Sequence, residues 1–356
     1  MSKPAKDVPL DFIRPAIRAM HGYVPGEQPQ DGGYIKLNTN ENPYPPSPRV
    51  REAIERCATD EVRLYPDPMA NALRDAAAAR YDLTREHILA GNGSDELLTI
   101  VLRACAGEGD RVAYPTPTYS LYDTLVAIAG ATPVRIPFSE DFSLPPALAD
   151  ARARVTFVCN PNAPSGTYIA VDELAGLSEQ VAGLLVIDEA YVDFAADTAL
   201  RLVRQRPNVL VLRTLSKSFS LAGMRVGLAC GAPALIAELG KVKDSYNLSR
   251  VSIAAGAAAL ADHDAMCAHV RRVCATRARL SERLRARGYQ VPPSQANFVL
   301  ARRPGREQHS VYEALKQRRI LVRYFATPEL QDALRITVGT DEEIDALLQA
   351  MEEIGA

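Results

Sequence analysis

Leu184-Leu185-Val186-Ile187 runs directly into Asp188-Glu189-Ala190-Tyr191. Four apolar residues with no polar alternation suit a strand buried on both faces, as in a parallel sheet. Comparable short runs lie on either side, at residues 111–114, 134–137, Val155–Cys159, 209–213 and 226–230. Each is expected to be followed by a helical stretch. Strand and helix alternating in this way predict an α/β fold, a mostly parallel sheet flanked by helices.

Upstream of that block, helical periodicity covers residues 49–59 and 69–81, and Asn92-Gly93-Ser94-Asp95-Glu96 leads into an apolar helix over 97–106. Residues 1–48 are rich in Pro and Gly, and Pro43, Pro45, Pro46 and Pro48 favour extended chain. This segment reads as an arm that wraps its own core or reaches a partner subunit. Downstream, residues 253–287 read as one long helix, interrupted near Asp262. Short strands are expected at 297–301, 320–324 and 334–338, with helices between and after them. The expected organisation is an arm that joins part of a smaller domain (1–48), a large domain (49–245) and a small α+β C-terminal domain (246–356).

A chain of 356 residues accommodates about two domains at roughly 150 residues each. It can bury a large core without metal or disulfide staples. Lys+Arg at 41 nearly balance Asp+Glu at 43, which gives no support for a nucleic-acid partner. No apolar run reaches bilayer-spanning length, and residues 1–10 lack the apolar segment of a secretory signal. The six cysteines (57, 105, 159, 230, 267 and 274) form no C-x-x-C pair and read as reduced thiols of a cytoplasmic protein. The five histidines form no H-E-x-x-H motif, so no metal centre is expected.

In open α/β sheets, ligands bind beyond the carboxyl ends of the strands, so the residues after each strand carry the functional signal. Asp188 ends an apolar strand, where a carboxylate is costly unless paired. It is either a helix N-cap or the partner of a protonated ring nitrogen. Lys217, within Arg213-Thr214-Leu215-Ser216-Lys217-Ser218-Phe219, is either a solvated loop lysine or a desolvated amine able to form a Schiff base. Gly91-Asn92-Gly93-Ser94-Asp95-Glu96 offers the free N–H groups of a helix start to an anion. Its third glycine position is Glu96, which argues against a dinucleotide fingerprint. Asn160-Pro161-Asn162-Ala163-Pro164-Ser165-Gly166 is either a plain turn or a rigid loop that aims its asparagines at a ligand.

In chain order, the 91–96 cup, Tyr119, the Asn-Pro loop, Asp-Glu-Ala-Tyr, Ser-Lys-x-Phe and Arg225 resemble the fold type I pyridoxal-phosphate-dependent aminotransferases over essentially the whole chain. Leu37-Asn38-Thr39-Asn40-Glu41-Asn42-Pro43, Arg63-Leu64-Tyr65-Pro66-Asp67, Leu212-Arg213-Thr214-Leu215-Ser216-Lys217, Ile320-Leu321-Val322-Arg323-Tyr324-Phe325 and Leu334-Arg335-Ile336-Thr337-Val338-Gly339-Thr340 are similar to the histidinol-phosphate aminotransferase branch.

The resemblance implies pyridoxal 5′-phosphate as cofactor and a ping-pong exchange of amino groups. Histidinol phosphate and 2-oxoglutarate would interconvert with imidazole-acetol phosphate and glutamate, in L-histidine biosynthesis. Lys217 would form the internal aldimine and move the proton. Asp188 would pair with the pyridine N–H, Tyr191 would donate to the phenolate oxygen, and Tyr119 would stack on the ring. The backbone N–H groups of Ser94 and Asp95, with Ser216 and Arg225, would hold the phosphate. Tyr65 would reach that phosphate from the other subunit of a homodimer. On the substrate side the resemblance implies Arg323 and Arg335 as cationic anchors, Tyr23 as a hydroxyl, and Asn40 and Glu41 as arm contacts.

The chain departs from the pattern at Ala163, where relatives often carry Asn against the phenolate oxygen. Either Asn162 takes that role, or Tyr191 carries it with water. An aromatic amino-acid aminotransferase on the same scaffold would share the cofactor residues, and a decarboxylase of a phosphorylated amino acid would need the same anchors. A non-catalytic pyridoxal-phosphate-binding regulator would need an added DNA-binding domain, for which residues 1–48 are too irregular.

Overall fold

The computed structural model describes residues 11–20 and 22–356. The reading of residues 1–10 and the position of His21 lie outside the described residues. Twelve strands follow in chain order: β1 (Ile35–Lys36), β2 (Ile88–Asn92), β3 (Arg111–Thr116), β4 (Thr132–Pro137), β5 (Val155–Cys159), β6 (Leu184–Asp188), β7 (Val209–Thr214), β8 (Val226–Gly231), β9 (Phe298–Arg302), β10 (Ile320–Leu321), β11 (Arg323–Tyr324) and β12 (Ala333–Thr337).

Seven strands form one sheet in the order β2-β8-β7-β6-β5-β3-β4. All neighbours are parallel except those of β8, which runs antiparallel to β2 and β7. Successive residues of a central strand feed opposite cores, as the pleat requires. Leu185 and Ile187 of β6, with Val209 and Val211 of β7, pack on one face with the helices Asn71–Tyr81 and Arg250–Ala261. Val186, Leu210 and Leu212 pack on the other, with the helix Ser94–Cys105. With helices covering both faces, these strands have no polar side, which is why they read as continuous apolar runs.

The expected helix after every strand is not found. Between β6 and β7 there are only short 3₁₀ turns, Val192–Phe194 and Ala199–Arg204. Between β7 and β8 there is a loop with one such turn, Ala222–Met224. The antiparallel return from β7 to β8 needs no crossover helix, whereas β6 and β7 are parallel and are joined by a crossover of 3₁₀ turns; both connections carry site residues. The strand β2 was not expected, because its end, Gly91-Asn92, reads as loop.

The long helix expected at 253–287 is two, Arg250–Ala261 and His263–Ala286, separated where Asp262 leaves helical dihedrals (φ −108°, ψ 55°). The expected strand at 320–324 changes partner at buried Val322. Its first half, β10, pairs parallel with β1 of the arm, and its second half, β11, joins the antiparallel sheet β11-β12-β9. Leu37, Val299, Ile336 and Leu347 share the core beneath these small sheets. The arm is thereby stitched to the C-terminal part of the chain.

Candidate active site

β4 lies on one side of β3 and β5 on the other, so the chain reverses direction across the sheet at β3. A crevice opens at such a point beyond the strand ends. A cavity of about 480 Å³ lies there, lined by Thr116, Cys159, Asp188 and Thr214 from the ends of β3, β5, β6 and β7. Tyr23, Asn40, Ser94, Asp95, Tyr119, Tyr191, Ser216, Lys217, Arg225, Arg323 and Arg335 also line it.

One end of the cavity is built for an anion. Ser94 begins its helix after Gly93, whose φ of +82° only glycine adopts freely. A Cβ on Gly93 would meet Arg225 Nη2 at 2.6 Å, and one on Gly227 would meet the Gly93 main-chain carbon at 2.4 Å. The two glycines let the helix start and β8 close to contact. The first-turn N–H groups, the Ser216 hydroxyl and the Arg225 guanidinium then converge, with Arg225 Nη1 3.5 Å from Ser216 Oγ. Arg225 Nη2 also donates to Asp95 Oδ2 at 3.1 Å, and the Tyr119 hydroxyl donates to Asp95 Oδ1 at 3.1 Å.

At the floor, Lys217 Nζ donates to the Thr39 carbonyl at 3.3 Å. Burial, reinforced by the Arg335 charge, lowers this amine to about 8. Asn42 Nδ2 donates to the carbonyls of Lys217 and Ser218 at 3.0 and 3.1 Å and fixes the lysine backbone. Opposite, burial pushes the Asp188 carboxyl up to about 6. It accepts from the Tyr122 hydroxyl at 2.9 Å and from the Ala190 N–H at 3.2 Å. The Tyr191 hydroxyl accepts from Asn40 Nδ2 at 3.1 Å, which leaves its own proton to donate.

The two arginines at the other end differ. Arg323 donates from Nη1 and Nη2 to the carbonyls of Pro25 and Val24 and so straps the arm over the cavity. Arg335 donates from Nη2 to the Asn38 carbonyl at 2.8 Å, and its buried Nε has no partner among the described residues. Its guanidinium lies 5.3 Å from the Phe298 ring and 5.6 Å from the Phe325 ring.

Three expected residues stand elsewhere. Asn162 is turned into its own loop. It donates to the Pro117 carbonyl and Ser165 Oγ and accepts from Thr118, so Ala163 and Pro164 face the cavity instead. Glu41 is paired with Lys36 and accepts from the Thr39 hydroxyl, outside the lining residues. Tyr65 is 77% exposed and stacks on Tyr246 at 4.4 Å, away from the cavity of its own chain. Asn40 lines the cavity, but its amide supports Tyr191.

Sequence reading missed Tyr122, Asn42 and the Thr39 carbonyl. The Asn-Thr-Asn-Glu-Asn run was a signal for the last two, and a second tyrosine three residues after Tyr119, at a helix start, was a signal for the first.

An amine that loses its proton near neutrality, a buried carboxylate and an anion cup, gathered at the carboxyl ends of a parallel sheet, define a lysine-dependent α/β enzyme. The chain belongs to the aminotransferase class I and II family, whose pattern matches residues 33–351. It is 48% identical over 344 residues to the histidinol-phosphate aminotransferase of Geotalea uraniireducens, covering 96% of this chain and 99% of that one. It is 47% identical to the histidinol-phosphate aminotransferase of Rhodopirellula baltica, covering 95% and 94%. The crystal structure of histidinol-phosphate aminotransferase from Sinorhizobium meliloti in complex with pyridoxal 5′-phosphate superposes with a TM-score of 0.88 at 27% identity, covering 97% and 98%.

Proposed function

We infer that the protein is a pyridoxal-phosphate-dependent aminotransferase of L-histidine biosynthesis. It interconverts histidinol phosphate and 2-oxoglutarate with imidazole-acetol phosphate and glutamate. The observation that carries the chemistry is the placement of Lys217, Asp188 and the Ser94–Ser216–Arg225 cup around one cavity. The near-full-length likeness to relatives of that activity supports the substrates.

The donor set fits the cofactor. The glycine-shaped cup and Arg225 match a phosphate, Asp188 a ring N–H, the Tyr191 proton a phenolate oxygen, and the Tyr119 face a pyridine ring. When bound, pyridoxal phosphate supplies an electron-accepting ring and carries the amino group from one substrate to the other. The chain's own residues orient and move protons. With the cofactor bound, Asp188 would keep the ring nitrogen protonated, and Lys217 Nζ would take the proton from the substrate carbon and hand it back on the same face. Arg335, which lines the cavity, binds the anionic group of each substrate. Phe298 and Phe325 flank that guanidinium and strengthen the pairing.

A homodimer completes this reading. Val62, Leu64, Met69 and the stacked pair Tyr65 and Tyr246 are exposed, and Tyr65 would reach the phosphate end of the second copy's cavity. Six free cysteines suit the reducing cytoplasm.

The test is a half-reaction without keto acid. Histidinol phosphate is expected to bleach the visible band of the cofactor-loaded protein faster than phenylalanine or tyrosine does. The reverse ranking would make it an aromatic amino-acid aminotransferase. A protein that develops no visible band with pyridoxal phosphate would remove the cofactor reading altogether.

A further inference from the structure

Tyr122 is fully buried, and its hydroxyl donates to Asp188 Oδ2 at 2.9 Å. The ring is clamped. It stacks on Phe157 at 4.8 Å with 21° between planes, and it meets Tyr114 and Tyr119 edge-on at 5.8 and 5.7 Å. A phenylalanine would fill the same space, so the hydroxyl is what distinguishes this position. Both Asp188 oxygens are engaged, Oδ2 by Tyr122 and Oδ1 by the Ala190 N–H, and this fixes the plane of the carboxylate.

We propose that Tyr122 is a positioning residue of the transamination, holding the Asp188 carboxylate ionised and aimed at the cofactor ring nitrogen. The inference rests on the cavity being a pyridoxal-phosphate site.

Around Asp188 the other titratable groups are Cys159, Asp95, Lys217, Tyr119 and Tyr191. Burial and the Asp188 charge hold the Cys159 thiol protonated, and burial holds the protons of Tyr119 and Tyr191. Asp95 disfavours a second negative charge, whereas Lys217 favours it at a distance. Among the described side chains, Tyr122 is the one that donates directly to the carboxylate. Burial and the Asp188 charge push its own pKa well above 10, so the donor persists at any working pH. Without it, Asp188 becomes the stronger base and takes the proton it should share with the ring. The ring then loses the positive charge that makes it an electron acceptor.

The experiment compares wild type, Tyr122→Phe and Phe157→Leu, each loaded with cofactor labelled with ¹⁵N in the ring. The ¹⁵N shift reports ring-nitrogen protonation across pH, and cofactor affinity and kcat are measured alongside. In Tyr122→Phe the nitrogen should lose its proton at a pH at least one unit lower. Cofactor dissociation should rise and kcat fall by about tenfold or more, the scale of a lost hydrogen bond to a charge. Phe157→Leu should keep the nitrogen protonated. Equal loss in both variants would show a packing role and overturn the proposal, as would an unshifted titration in Tyr122→Phe. If Tyr122→Phe does not fold, 3-fluorotyrosine at this position, a stronger donor of the same shape, should hold the ring proton to higher pH. No upward shift would overturn the proposal. Wild type that takes up no cofactor would instead defeat the functional reading beneath it.

Discussion

Lys217 Nζ and the main-chain oxygen of Thr39 lie 3.3 Å apart, joined across 178 positions of sequence. A carbonyl is a partner for the amine's N–H bonds without being a counter-ion. The contact therefore orients Lys217 without restoring the charge that burial and Arg335 disfavour, and the amine titrates at about 8 rather than 10.5. Below that pH it is protonated and cannot attack a carbonyl carbon; above it the neutral form dominates. Recombination of cofactor-stripped protein with pyridoxal phosphate, followed by growth of the visible band, should accelerate about tenfold from pH 7 to 9 and then level off. A rate that still climbs beyond pH 10 would mark an ordinary lysine.

The second prediction separates the two arginines. Arg335 lines the cavity with one terminal nitrogen given to the Asn38 carbonyl, whereas both terminal nitrogens of Arg323 are engaged by the arm. Arg335→Lys keeps the charge and loses the fork. It should raise KM for histidinol phosphate and for glutamate by roughly 10- to 100-fold, with a smaller change in kcat. Arg323→Ala should first release the arm, seen as faster proteolysis within residues 22–30 of the substrate-free protein. Steady-state kinetics and a digestion time course test the pair. Unchanged KM values in Arg335→Lys would remove it as an anchor.

A third prediction concerns the far side of the lysine loop. Buried Arg213 pairs with Glu189 at 3.3 Å and with Asp193, and Asp193 in turn accepts from Ser218, the neighbour of Lys217. The network joins the Asp-Glu-Ala-Tyr turn to the lysine loop. Arg213→Met would leave buried carboxylates without a cation, at a cost of about 3–5 kcal/mol. Burial already pushes Glu189 up to about 7 even beside Arg213. A carboxyl raised in the folded state contributes stability at low pH and loses it as pH rises through the folded pKa. The variant's deficit in urea unfolding should therefore be smaller at pH 5 than at pH 8. An equal deficit at both would contradict an electrostatic origin.

What was legible in the chain depended on how much each residue's surroundings were local. β5 and β6 read correctly to their ends because a strand buried on both faces is dominated by apolar residues, with one polar residue in each. β2 was missed because a Gly-Asn end serves a strand and a turn equally well. Asp188 and Lys217, both lining the cavity, were found by their place after apolar runs. Asn162 was misplaced, because its direction inside a rigid proline loop is set in part by the Pro117 carbonyl and the Thr118 hydroxyl, which lie outside the loop's own sequence. Tyr122 was hidden for the opposite reason. A tyrosine on an apolar helix face reads as core, and only the fold brings Asp188 to its hydroxyl.

The final prediction follows from Ala163, which with Asn162 turned away leaves the cofactor's phenolate oxygen to Tyr191. Asn40 supports that tyrosine from the arm, donating to its hydroxyl at 3.1 Å. It is held for that purpose at every polar atom. Its N–H donates to Thr337 Oγ1, its Oδ1 accepts from the same hydroxyl, and its carbonyl accepts from Asn297. Its backbone takes φ +58°, a region asparagine tolerates better than other side chains. Because Asn40 donates, Tyr191 must direct its own proton into the cavity. Asn40→Ala frees that hydroxyl to rotate and should lower kcat by roughly tenfold, near the value of one hydrogen bond. Tyr191→Phe removes the proton altogether and should cost at least as much. If Asn40 acts through Tyr191, the double variant should be no slower than Tyr191→Phe alone. Full additivity of the two losses would assign Asn40 a separate contact with the substrate, and the arm would then be part of the binding site in its own right.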